Sequence, residues 1–146
     1  MAEIKSPEFQ RLLLEMFFLG KPPPETMWVG LCQDVFAVTP TIVSLAASEP
    51  APATGYMRQP ILKGMWQLGL NPTRVNHEGV TFTNRGTERW PVLRTWFLVA
   101  GSSQADGGVG GPSGQEVLVD WGQLRAVRVL LPEDRLVVPL EARWPS

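Results

Sequence analysis

The 146-residue chain is poor in the residues that most enzymes and metal proteins rely on, with one cysteine, one histidine and one tyrosine. A single cysteine, Cys32, excludes an intrachain disulfide framework and a cysteine-based metal cluster. With His77 the lone histidine, most other metal geometries go too, and no cofactor is expected. Cys32 lies inside the apolar run Met27-Trp28-Val29-Gly30-Leu31-Cys32, where a small core residue is expected rather than a nucleophile. An excess of charge of one sign is also lacking: the formal net charge is −1 and the ten arginines are scattered. That removes the electrostatic case for nucleic acid. There is no long uncharged apolar run. Glu3 and Glu8 lie near the start and Glu15 interrupts the first apolar segment, so neither a signal peptide nor a membrane span is expected, and synthesis in a cytoplasm is.

The chemical motifs fail one by one. Gly107 to Gly114 has no following Lys-Ser or Lys-Thr and opens no helix, against a phosphate loop. His77-Glu78 reads as a polar turn beside Asn76 and Gly79, and Glu133-Asp134 as a solvated turn between strands. No serine has a histidine in a recognisable motif, so the expectation is a protein that is not an enzyme.

What the chain does have is apolar and aromatic residues in quantity, 44% hydrophobic with six tryptophans, punctuated by 14 prolines and 14 glycines. One domain over residues 1–146 is expected, long enough for a real core. Prolines in loops fit a thermostable protein. The organising stretch is Arg89 to Gly122. Val92, Trp96, Leu98 and Ala100 would share one strand face and Leu93, Thr95, Phe97 and Val99 the other, so both faces should be covered. A second run, ending Asp120-Trp121-Gly122, should pair with it across the glycine-rich segment 101–115, read as a long loop.

In chain order, residues 1–5 read as a free arm. Ser6-Pro7-Glu8 then gives a capping hydroxyl, a first-turn proline and a first-turn acid, and Gly20 a stop, predicting a helix over 6–19. Its apolar stripe, Phe9, Leu12, Leu13, Met16 and Phe17 widened by Leu14 and Phe18, is broader than one core face needs. It fits either a helix covering a small sheet or a contact between subunits. Pro22-Pro23-Pro24 is a stiff spacer leading to a strand at Thr26–Cys32. Residues 34–54, with a short apolar patch at Ile42, Val43 and Leu45, read as a second long loop. Gly55 to Leu62 reads as an edge strand because Pro60 cannot donate to a ladder. Trp66 and Leu68 read as core anchors. A strand at Val80–Asn84, a turn at Asn84-Arg85-Gly86, and strands Leu124–Leu131 and Leu136–Trp144 joined as a tight hairpin by Pro132–Arg135 complete the reading. The fold class is mainly β, an antiparallel β-barrel or sandwich with one N-terminal α-helix and long loops. The tryptophans, with Phe17, Phe18 and Tyr56, exceed what a small interior readily holds, so either some lie at interfaces or they pack at the rim of the core.

The series Leu12-Leu13-Leu14, Met27-Trp28-Val29-Gly30-Leu31, Gly55-Tyr56-Met57-Arg58-Gln59, Val80-Thr81-Phe82, Arg94-Thr95-Trp96-Phe97-Leu98, Val117-Leu118-Val119-Asp120-Trp121-Gly122-Gln123-Leu124 and Pro132-Glu133-Asp134-Arg135-Leu136 resembles a family of small tailed-phage virion proteins. Two departures are Met57 in place of a small residue and Glu133-Asp134 in place of Gly-Asp. Within the family, the chain is most similar to the auxiliary, or decoration, capsid proteins of long-tailed phages of thermophilic bacteria. The resemblance implies a cement protein that binds the outside of the capsid as a homotrimer, with the major capsid protein as partner, no nucleic acid or membrane partner, and residence in the virion. The alternative is a tail or tail-fibre module that binds a host receptor. The candidate partner-binding residues are Phe18, Pro22, Pro23, Pro24, Ile42, Val43, Leu45, Gly107, Gly108, Val109 and Gly110.

Overall fold

A computed structural model describes residues 2–3, 6–22, 24, 26–61, 67–68, 74–101 and 117–143. The elements are β1 (Ala2–Glu3), α1 (Pro7–Leu19), β2 (Thr26–Cys32), α2 (Ile42–Ser48), a 3-10 turn at Pro52–Thr54, β3 (Gln59–Ile61), β4 (Gln67–Leu68), β5 (Arg74–Thr83), β6 (Leu93–Gly101), β7 (Val117–Arg128) and β8 (Arg135–Arg143). They form two four-stranded sheets, ordered β1-β8-β5-β4 and β3-β2-β6-β7. The sheets make a sandwich rather than a closed barrel, antiparallel except where β1 pairs in parallel with β8.

The predicted helix forms for the predicted reasons. Ser6 Oγ accepts from the Phe9 N–H at 3.4 Å, Pro7 opens the first turn, and Gly20 closes the last at φ 71°, a left-handed conformation that costs glycine nothing. Phe9 and Leu12 enter the core between the sheets. The carboxylate of Glu8 accepts the Leu118 N–H at 3.2 Å, which ties α1 to β7, the outer strand of its sheet.

The core between the sheets is built by alternation. Val29, Leu31, Leu98, Ala100 and Val119 face Val80, Phe82, Leu136, Val138 and Leu140. The opposite face of the β3-β2-β6-β7 sheet is covered as well, with Cys32, Leu45, Phe97, Val99 and Leu118 in a second buried cluster. The charge-poor run of β6 is therefore buried on both sides, as its sequence predicts, and β6 pairs with β7 as expected. Leu98 lies opposite Asp120 and Val99 opposite Leu118, so Val119 is the extra residue of a bulge. That shift lets both Leu118 and Trp121 join the second cluster.

Several expectations need correction. Residues 2–3 of the supposed free arm pair with Ala142 and Arg143. Residues 34–54 are not one long loop: Thr41 caps α2 through a reciprocal pair of bonds with Ser44, and the 3-10 turn follows. A second helix thus joins the N-terminal one. Of the strand expected over Gly55–Leu62, Gln59–Ile61 forms and residues 55–58 do not, Leu62 lying outside the described residues; the strand is an edge strand, as Pro60 predicts. His77 is not in a turn but in β5, opposite Leu140, and the chain irregularity falls between His77 and Val80, where Gly79 adopts φ 141°. The turn at Pro132–Arg135 joins no hairpin. β7 pairs with β6 and β8 with β5, so the turn carries the chain from one sheet to the other. Asn84 fixes this crossing: its backbone exchanges bonds with Glu133 and Asp134, and its amide donates to Leu130 O at 2.9 Å and Glu88 O at 2.8 Å. Trp66, Trp144 and the 101–115 loop, Gly101 aside, lie outside the described residues. The other tryptophans are packed: Trp90 is buried and Trp28, Trp96 and Trp121 are half-buried against the two clusters.

Candidate interaction surface

α1 is apolar on two sides. Phe9, Leu12, Leu13 and Met16 turn toward the core. Leu14, Phe17 and Phe18, three and four residues apart, form a second face, exposed at 60%, 78% and 79%. Leu19 extends it at the helix end. The three side chains hold on the order of 400 Å² of apolar surface in water, as large as the biggest patch on a typical monomer. Beside it runs a polar border in which Arg11 Nε and Lys21 Nζ both donate to Glu15, at 3.1 and 3.0 Å. The hydrogen bonds from Lys21 and then Arg11 hold the Glu15 carboxyl below the ordinary carboxylate range. Pro22 is exposed and Pro24 half-buried just beyond.

The second group of candidates divides. Val43 is exposed on α2, with Val35 and Val38 exposed nearby. Ile42 is half-buried against the second cluster, and Leu45 has no exposure at all. Leu45 is therefore an anchor of α2 on the sheet. Pro23, Gly107, Gly108, Val109 and Gly110 lie outside the described residues. The structure thus brings Phe18 and Pro22 to one end of α1, and places Val43 on a separate surface made by residues 33–54. Leu14, Phe17 and Leu19 complete the first surface. Their signal was the overly wide stripe on the helix.

A buried polar cluster lies where the 33–54 segment rejoins the sheet, and sequence reasoning missed it. Arg58 is fully buried and makes an ion pair of 2.6 Å from Nη2 to Glu49, whose side chain is 7% exposed. Arg58 Nε donates to both Glu49 oxygens at 3.1 Å, and the Tyr56 hydroxyl donates to Glu49 Oε2 at 2.6 Å. That hydroxyl in turn accepts the Leu31 N–H at 2.9 Å, a backbone donor of β2 beyond the last residue that β3 pairs. The guanidinium stands 5.1 Å from the centroid of the Phe97 ring, and Trp90 meets Tyr56 edge-on. Burial, then the Glu49 charge, pushes the Tyr56 phenol well above its ordinary value. Burial does the same to the Cys32 thiol, which donates to Leu45 O at 3.4 Å. Both groups are held neutral in apolar or ion-paired surroundings, which suits structure and not proton transfer.

Among the described residues no group of three histidine, cysteine or acidic side chains could hold a metal ion, and no helix is long and apolar enough to cross a membrane. No protein-family profile matches the chain, and no curated protein sequence does.

Proposed function

We propose that this chain is a structural virion protein, which binds the outside of a phage capsid, reinforces it as a decoration or cement protein, and performs no turnover. The observation that carries the reading is the outer face of α1. Two phenylalanine rings more than three-quarters exposed, beside Leu14, are unfavourable on a protein that stays alone. Covering about 400 Å² of apolar surface is worth on the order of 10 kcal/mol before the cost of association is subtracted. A homotrimer on the major capsid protein, as the family resemblance implies, offers two kinds of surface to cover it. Repeated copies across a seam would bind at high effective concentration, so modest contacts sum to slow dissociation. The buried polar cluster and the packed core between the sheets fit a rigid body that resists deformation.

The test is add-back. Shells lacking the protein should lose heat and osmotic resistance and regain both when purified chain is supplied, and a Phe17→Ser/Phe18→Ser variant should fail to restore them. Stripped shells as robust as decorated ones would end this reading. Binding to host cells together with a position on the tail would replace it with the receptor-binding alternative.

A further inference from the structure

The segment between β2 and the 3-10 turn is closed on itself at its base. The Gln33 N–H donates to Ser48 O at 2.9 Å, the Asp34 N–H donates to Ser48 Oγ at 3.0 Å, and that hydroxyl donates back to Asp34 Oδ2 at 3.0 Å. Both ends of the ring are moored to fixed structure. Arg94 of β6 donates to Gln33 O at 2.9 Å, Thr95 Oγ1 donates to Asp34 O, and Glu49 is held by Tyr56 and Arg58. Inside the ring the attachment is slight. Leu45 and Pro40 are its buried apolar residues, Ile42 and Phe36 are half-buried, and Val35, Val38 and Val43 face water. Beneath it lie Cys32, Phe97, Val99 and Leu118.

We propose that residues 35–47 form a hinged cover, which lifts from the outer face of the sheet as a unit while the sandwich stays folded. The bonds at its base and the mooring of Glu49 lie outside the moving part, so lifting breaks none of the core between the sheets. It costs the bond from the Glu49 N–H to Ala46 O at 3.3 Å, which joins the last turn of α2 to the moored end, the burial of Leu45 and part of that of Ile42, Phe36 and Pro40, a small fraction of what global unfolding exposes. Lifting also breaks the bond from the Cys32 thiol to Leu45 O and uncovers Phe97, Val99 and Leu118. The fold thereby has two apolar faces of different kinds, one permanently exposed on α1 and one gated on the sheet.

Cys32 is the only cysteine in the chain, so it reports the opening without engineering. The experiment follows the reaction of the folded, full-length protein with an aromatic disulfide reagent across a urea series, for the wild type and Val138→Ala. Val138 belongs to the core between the sheets, away from the cover. Labelling without urea should run about a thousandfold slower than in the unfolded chain and stay flat at low urea. Val138→Ala should lower the unfolding midpoint, corresponding to roughly a ten- to hundredfold loss in the folding equilibrium, and leave the labelling rate unchanged. The proposal is overturned if the thiol labels at the unfolded rate, if it does not label without urea, or if its rate climbs from zero urea with the slope of global unfolding. Should Val138→Ala fail to fold, the wild-type urea series decides alone.

Discussion

Replacing Arg58 with methionine tests whether the buried cluster is a unit. The Arg58 side chain has no exposure and that of Glu49 only 7%, so bulk water screens neither charge well. Arg58→Met keeps much of the volume over Phe97 but leaves the Glu49 carboxylate with the Tyr56 hydroxyl alone among the described residues. Breaking one side of such a pair costs about 3–5 kcal/mol, most of it from the stranded charge rather than the lost attraction. With a urea slope of about 2 kcal/mol per molar, the midpoint should fall by roughly 2 M, followed by tryptophan fluorescence. Glu49→Gln alone should cost a similar amount, since it strands the fully buried guanidinium without its counter-charge even though the amide oxygen can still accept from Tyr56. The double variant Glu49→Gln/Arg58→Met strands no charge and should recover most of the loss, giving a coupling of at least about 2 kcal/mol in the cycle. If Arg58→Met costs under about 1 kcal/mol, or the two losses simply add, the cluster is not the closed unit inferred from its geometry.

Three further perturbations follow from named contacts. Stability should fall above pH 9, because the folded state keeps the Cys32 and Tyr56 protons that the unfolded chain releases near its ordinary values of 9.0 and 10.0. Each group adds about 1.4 kcal/mol per pH unit to the fall, and urea titrations of Cys32→Ala should lack the earlier component. Gly30→Ala should cost about 3 kcal/mol or prevent folding, since a Cβ there would enter the Phe97 ring, and the thermal midpoint reads it. Phe17→Ser/Phe18→Ser should change the unfolding free energy read from a urea titration by no more than about 0.5 kcal/mol, because both rings are exposed, while abolishing any self-association seen by light scattering.

Much of the fold was legible because its signals are local. The caps of α1, the extent of β2, the pairing of β6 with β7 and the edge position of Pro60 each follow from a few adjacent residues. Non-local choices were not legible. A four-residue turn between two apolar runs looks the same whether the chain returns in its own sheet or crosses to the other, and only the register of β8 on β5 decides. α2 has seven residues, too few for a helical period, and its capping box ends in Ser44 instead of the usual Glu or Gln. The burial of Arg58 was hidden because arginine is ordinarily a surface residue, and its partner Glu49 sits in a run of alanine and proline that resembles a loop. At the surface, the wide stripe of α1 is matched by an exposed apolar face at Phe18 and its neighbours, whereas the apolar patch at Ile42, Val43 and Leu45 mixed an inward anchor with an outward residue. Composition could not separate them, but one turn of helix does.

The most direct test of the proposed capsid role is a cryo-electron microscopy map of the proposed virion, sharp enough to show side chains. It should place the chain on the outer surface of the head with Leu14, Phe17 and Phe18 of α1 buried against a neighbouring copy or the major capsid protein. A map with that face open to solvent, or with the chain on the tail, would contradict the account.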